Sequence, residues 1–202
     1  MPTILHTTDG HQLDADIAPA RGPARGVAVV CHPHPLYGGD RFNDVVDALF
    51  GALPGAGFTT IRFDFRAEHD RGVGERLDAI AAIDAVLDSV ADGGTGRSPV
   101  VLAGYSFGAL VALSTRDQRI AAVVAVAPPL SPTVEAPDVP TLVLSPRHDQ
   151  FCPADAAEAI VAEWPDADLQ AVESADHFLA GRTDAVARAT VAWLTERFGE
   201  IG

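Results

Sequence analysis

Val100-Val101-Leu102-Ala103-Gly104-Tyr105-Ser106-Phe107-Gly108-Ala109-Leu110-Val111-Ala112-Leu113 is the stretch on which the fold turns. Its opening residues form a short, β-branched run suited to a buried strand. Its closing residues, from Phe107, read as a helix. Between the two, Gly104-Tyr105-Ser106-Phe107-Gly108 fits the pattern G-x-S-x-G. That spacing seats a serine on a sharp strand-to-helix turn and lifts its Oγ clear of the sheet, while the two glycines leave room for the backbone to close. Ser106 then stands at a helix N-terminus, where the dipole favours developing negative charge. The pattern makes Ser106 a candidate nucleophile.

The same alternation extends in both directions. Upstream, Ile4–Thr7 and Leu13–Ile17 flank Asp9-Gly10 and read as an antiparallel hairpin. Val27–Cys31 is a continuous apolar run, followed by the loop His32–Asp40 and a helix from about Asn43 to Leu53, stopped by Pro54-Gly55. Thr59–Phe63 is a strand and Glu75–Val90 a helix. Downstream come strands at Ile120–Ala127, Thr141–Ser145 and Leu169–Glu173, with helices at Ala154–Glu163 and Thr183–Phe198. Strands alternating with helices predict an α/β fold: a three-layer α/β/α sandwich on about eight strands, mostly parallel after the hairpin. The 202 residues suit a single domain spanning 1–202.

A nucleophilic serine needs a base and an acid, and in this topology the chain order is Ser, acid, His. The strand Thr141–Ser145 leads into Pro146-Arg147-His148-Asp149. Leu169–Glu173 leads into Ser174-Ala175-Asp176-His177. Asp149 and His177 thus follow the C-terminal ends of parallel strands, the edge that carries Ser106 and the edge where such sheets bind ligands. His177 would take the serine proton and return it to the leaving group, and Asp149 would fix the imidazole tautomer. Asp138, Asp155 and Asp176 are nearby acids; Asp176 adjoins His177 and points away from it, and Asp155 suits a helix start. An oxyanion would need two N–H donors, one of them the Phe107 amide. The other falls in His32-Pro33-His34-Pro35-Leu36-Tyr37-Gly38-Gly39, where the prolines cannot donate. Beyond His32, His34 and Leu36 are the nearest candidates, with His34 preferred.

These segments together resemble the small, lid-less α/β hydrolases of the dienelactone-hydrolase-like and short-chain esterase group. The matching runs are Cys31-His32-Pro33-His34-Pro35 with Gly38-Gly39, Arg62-Phe63-Asp64-Phe65-Arg66, the Ser106 pentapeptide, Asp149, and Asp176-His177-Phe178. The resemblance implies triad roles for Ser106, Asp149 and His177, oxyanion roles for the His34 and Phe107 amides, and cleavage of small esters or thioesters through an acyl-enzyme. Two departures stand out. Ala67-Glu68-His69-Asp70 replaces a glycine-rich run, and the nucleophile position holds serine where dienelactone hydrolases proper carry cysteine. Pro128–Pro140 is too short and too proline-rich for a helical cap, so an open, shallow site is expected, with Leu36, Tyr37, Leu130, Phe151 and Phe178 lining its mouth alongside Phe107.

Composition narrows the partners. Twenty-eight acidic residues against fourteen basic ones, all arginine, give a net charge of −14. Such a chain repels nucleic acid and anionic membranes. Two cysteines, Cys31 and Cys152, make no disulfide framework. No signal peptide or membrane span is evident, so a cytoplasmic protein acting on a small molecule without cofactor or metal is expected. Other readings remain. A metal-dependent hydrolase could draw on His32, His34, His148, Asp149 and His177. The same triad could also serve other acyl transfer or carbon–carbon cleavage, or a binder without turnover. His6, His11 and His69 read as surface residues, and Cys31 as packing.

Overall fold

A computed structural model describes residues 1–90 and 98–199. One eight-stranded sheet organises them: β1 (Pro2–His6), β2 (Gln12–Ala18), β3 (Gly26–Cys31), β4 (Phe58–Phe63), β5 (Val100–Tyr105), β6 (Ile120–Val126), β7 (Thr141–Pro146) and β8 (Ala167–Val172). Their spatial order is β1-β2-β4-β3-β5-β6-β7-β8. β1 and β2 form the hairpin, β2 runs antiparallel to β4, and every later pairing is parallel. The helices are α1 (Asp44–Ala52), α2 (Val73–Asp88), α3 (Phe107–Ser114), α4 (Ala154–Val161) and α5 (Thr183–Phe198). The sequence places all of these elements, with ends displaced by at most two residues, as fraying termini and local caps dictate.

Alternation along each strand assigns the layers. In β3, Val27, Val29 and Cys31 face one side, packed with Ala79, Ile83 and Val86 of α2, Val111 of α3 and Val161 of α4. Ala28 and Val30 face the other, against Val45 and Leu49 of α1 and Val186 and Trp193 of α5. A period of two thus sends one set of side chains to each helical layer, and all six residues of β3, β4, β5 and β7 are buried. Among the described residues, no helix is long and apolar enough to cross a membrane.

Register sets the functional edge. Cys31 lies opposite Gly104, Tyr105 opposite Val126, Val126 opposite Leu144, and Pro146 opposite Val172. The loops after β3, β5, β7 and β8 therefore open at the same end of the sheet. Residues 127–140 contain no helix, so no cap rises over that end. Two short 3-10 turns escape the sequence reading. Pro35–Tyr37 lies inside the expected His32–Asp40 loop, and Leu53–Ala56 follows α1. Proline in the first turn of each starts a helix that cannot propagate far.

Candidate active site

The turn after β5 is tight because nothing larger than hydrogen fits at two positions. A Cβ on Gly104 would lie 2.2 Å from the Gly108 carbonyl oxygen, blocking closure of α3 onto its own strand. A Cβ on Gly108 would lie 2.4 Å from the Cys31 oxygen and 2.5 Å from that of His32, where α3 presses on the end of β3. Ser106 takes up the bend with φ 53° and ψ −115°, a region costly to a residue with a Cβ. Its amide extends the β5–β6 ladder by donating to Val126 O at 2.9 Å. Its hydroxyl makes no capping bond to α3.

That hydroxyl lies instead 2.9 Å from His177 Nε2. His177 Nδ1 lies 2.7 Å from Asp149 Oδ2. With an acceptor carboxylate on Nδ1, the imidazole carries its proton there and offers the Nε2 lone pair to the serine O–H. Asp149 is 1% exposed. Its Oδ1 accepts from the Phe151 amide at 2.8 Å and the Cys152 amide at 3.3 Å, so the carboxylate is held from both sides. Asp155 pairs with Arg147, and Asp176 Oδ1 accepts from the Phe178 amide. Neither of these acids sits on the ring of His177.

Convergence of the three residues requires a long reach. β8 stands three strands from β5, about 14 Å at the usual strand spacing. The loop after β8 doubles back across that gap. His148 N–H ties Ala175 O at 2.9 Å, and the Tyr105 hydroxyl donates to His177 O at 2.9 Å. Burial, and then the charges of Asp149 and Asp176, push the Tyr105 phenol up to about 12, so it stays a donor well above neutral pH. Replacing Tyr105 by Phe removes one buried bond and costs about 1 kcal/mol. Because its folded value lies above the ordinary 10.0, the tyrosine's contribution is complete below about pH 10 and lost as pH climbs towards about 12. Urea midpoints of wild type and Tyr105→Phe should therefore differ at neutral pH and draw together through that window.

The β3 loop borders the nucleophile. His34 O accepts from the Tyr37 and Gly39 amides at 3.0 and 3.1 Å. A Cβ on Gly39 would meet Pro33 O at 2.1 Å, so the loop folds tightly on itself. Leu36 N–H donates to His34 Nδ1 at 3.2 Å. That occupies one of the two nearest candidate amides of the loop. The His34 amide has no bonding partner among the described residues, and neither has that of Phe107. The two rings sit 4.7 Å apart between centroids. His32 has both ring nitrogens engaged: Nδ1 at 2.6 Å from Pro33 O, and Nε2 accepting from the Phe65 amide at 2.9 Å. Burial holds it below its ordinary value. It is a neutral structural ring with no lone pair to spare, which removes the first ligand of the metal-based alternative.

The cleft around Ser106 has a volume of about 670 Å³. Tyr37, Phe107, Phe151 and Phe178 line it, together with His34, Leu110 and Pro129. Two expected lining residues lie elsewhere. Leu36 points to solvent at 70% exposure, because its amide is turned in to cap the 3-10 turn, and Leu130 is buried in the core beneath its neighbour Pro129. Aromatic rings from three loops and α3 supply the apolar wall of the cleft.

The sequence reading missed His69. It is not a free surface residue: Nδ1 lies 2.7 Å from Glu75 Oε1, and its ring contacts those of His34 at 4.4 Å and Phe107 at 5.3 Å. Glu75 is fully buried and also accepts from the Asp70 and Gly72 amides. These bonds hold its carboxyl below the ordinary value despite burial, which pulls the other way. The spacing of His69 and Glu75 carried no signal because they meet through a left-handed turn at Arg71 and Gly72. Cys152 is buried and its thiol is pushed up, first by desolvation; Cys31 is pushed much further up by full burial. Both are packing residues.

The profile of the alpha/beta hydrolase family matches residues 28–142. An uncharacterized protein of Rickettsia prowazekii, RP471, is 29% identical, covering 94% of this chain and 87% of its own. An alpha-beta serine hydrolase homologue from Coxiella burnetii superposes with a TM-score of 0.82 at 30% identity, over 96% of this chain and 97% of its own. XC6422 from Xanthomonas campestris, a serine hydrolase without lid, shares the fold at a TM-score of 0.84 and 24% identity, over 98% and 94%. With the strand-to-helix turn at Ser106 inside the matched segment, the chain belongs to the alpha/beta hydrolase family.

Proposed function

We propose that this hydrolase is a serine esterase that cleaves small carboxylic esters or thioesters through an acyl-enzyme on Ser106. The observation that carries the reading is the unbroken hydrogen-bond chain Ser106 Oγ–His177 Nε2, His177 Nδ1–Asp149 Oδ2. Ser106 Oγ attacks the substrate carbonyl as His177 Nε2 accepts its proton. Asp149, acceptor-only and fixed by two backbone amides, stabilises the resulting imidazolium. The amides of Phe107 and His34, free of other partners, donate to the oxyanion. His177 then passes the proton to the leaving alcohol or thiol. Water, deprotonated by the same ring, releases the acid and restores Ser106.

The size and walls of the cleft favour short acyl chains. About 670 Å³ with aromatic rims suits a small ligand, and no cap helix extends the wall for a fatty chain. Across 4-nitrophenyl esters from acetate to palmitate, kcat/KM should peak at acetate to butyrate and fall by roughly a hundredfold at palmitate. A peak on long chains, or turnover unaffected by a serine-directed phosphonate, would contradict the reading.

A further inference from the structure

A second cavity, of about 440 Å³, lies along α3 beside the Ser106 cleft. Phe107 and Leu110 line both, so the two share a wall. The second continues past Val111 to Ser114. From Phe107 to Ser114 a helix rises about 10 Å. The charged groups on this cavity are Arg71, Arg76 and Arg116, against Glu135 alone. Among the described residues Arg71 and Arg76 have no ion-pair partner. Arg116 donates to the main-chain carbonyls of Leu113, Thr115 and Ala136, which orient its charge without cancelling it. Three guanidinium groups thus gather in one cavity of a chain whose net charge is −14.

We infer that this cavity is an anion subsite of the catalytic cleft. It takes an acyl chain whose far end carries a carboxylate or a phosphate, reached along the shared wall of α3, which rises about 10 Å from Phe107 to Ser114. The inference rests on the esterase reading and extends it to substrate class. The assignment to the acyl arm follows from proton transfer. The leaving oxygen or sulfur must lie against His177 Nε2 to be protonated. The acyl arm departs from the other side of the carbonyl, and no residue of the His177 loop borders the arginine cavity. Guanidinium matches either anion with paired N–H donors. Repulsion by the whole molecule acts against any anion, so a preference for one must come from this local cluster.

The test compares pairs of activated esters of equal acyl-chain length. The first pair is mono-4-nitrophenyl suberate and its terminal primary amide. The second is 4-nitrophenyl 6-phosphonooxyhexanoate and its terminal alcohol. At low salt the wild type should favour the anionic member of at least one pair by about tenfold in kcat/KM, the sum expected of two partly exposed charge pairs. The pair that responds identifies carboxylate or phosphate, and the preference should shrink as salt is added. In the double variant Arg71→Gln/Arg76→Gln, which leaves Arg116 as the one guanidinium on the cavity, the ratio should fall at least about threefold. Arg188→Gln, exposed on α5 and outside both cavities, should keep the wild-type ratio. Ratios near one in the wild type for both pairs, or a preference that is undiminished in the double variant, overturn the subsite while leaving the esterase reading intact. Failure to hydrolyse any of the four esters, with no phosphonate adduct on Ser106, removes both.

Discussion

Replacing Ser106 by Ala should abolish ester turnover, with kcat down at least about 10⁴-fold, and leave the fold intact. On the proposed mechanism the loss is large, because the Ser106 hydroxyl is the group that forms the covalent bond. His177 and Asp149 have no other nucleophile within their hydrogen-bond chain. The fold should survive because Ser106 Oγ supports nothing else. It makes no cap to α3, and the turn is held by backbone contacts at Gly104 and Gly108 and by the Ser106 amide to Val126. The strained φ of 53° is unchanged by the substitution. A thermal midpoint within a degree or two of wild type, alongside the lost turnover, would separate chemistry from folding. Retention of a tenth of the activity would show that another group attacks.

The largest effect on stability is expected at Arg66. This side chain is 5% exposed. It donates to Asp78 Oδ1 from Nε at 3.0 Å and from Nη2 at 2.7 Å, and to Asp9 Oδ2 from Nη1 at 2.7 Å. Its backbone amide also binds Asp78. A Cβ on Gly74 would collide with the guanidinium at 2.3 Å, so the first turn of α2 rests directly on it. Arg66→Ala leaves the fully buried Asp78 with only a backbone donor. Breaking one side of a buried pair costs about 3–5 kcal/mol, or roughly 6–20 °C in melting temperature at this chain length. Arg66→Lys should rescue little, since one ammonium cannot reproduce the fork that spans two carboxylates. Arg66→Met/Asp78→Leu should recover part of the loss, because no buried charge is then left stranded while the Arg66 amide still loses its acceptor. The pH dependence has a defined sign. Hydrogen bonds from Arg66 and Thr7 hold the Asp9 carboxyl well below the usual carboxylate range. Its contribution is therefore present above about pH 4 and fades on acidification, and the gap between wild type and Arg66→Ala should narrow there. A loss under about 1 kcal/mol for Arg66→Ala would mean that the network is ornamental.

Much of this was legible in the chain because the relevant physics is local. The β-branched run before Gly104 and the helix after Phe107 announce themselves by period, and the glycines by the turn they permit. The alternation of such units implies the parallel sheet, and the sheet implies that residues after β5, β7 and β8 share an edge. Proline chemistry removed two donors from the β3 loop and left His34 and Leu36 as the nearest candidates beyond His32, and the hydrogen bond from Leu36 to His34 Nδ1 distinguishes them. What escaped is the product of tertiary contact. The environment of His69 depends on a left-handed turn that brings Glu75 beneath it. Leu36 and Leu130 have the right polarity for a cleft, but the loop after β3 turns the first outward and the loop after β6 turns the second inward. The gathering of Arg71, Arg76 and Arg116 joins residues from two segments forty positions apart and has no sequence period.

The most direct measurement is peptide mapping by mass spectrometry after brief treatment with a fluorophosphonate, on wild type and on His177→Ala. A single phosphonyl adduct on the peptide containing Ser106, formed far more slowly once the imidazole is gone, is the predicted outcome. An unlabelled wild type, an adduct on a different residue, or equal labelling rates in the two proteins would contradict the claim that His177 activates Ser106.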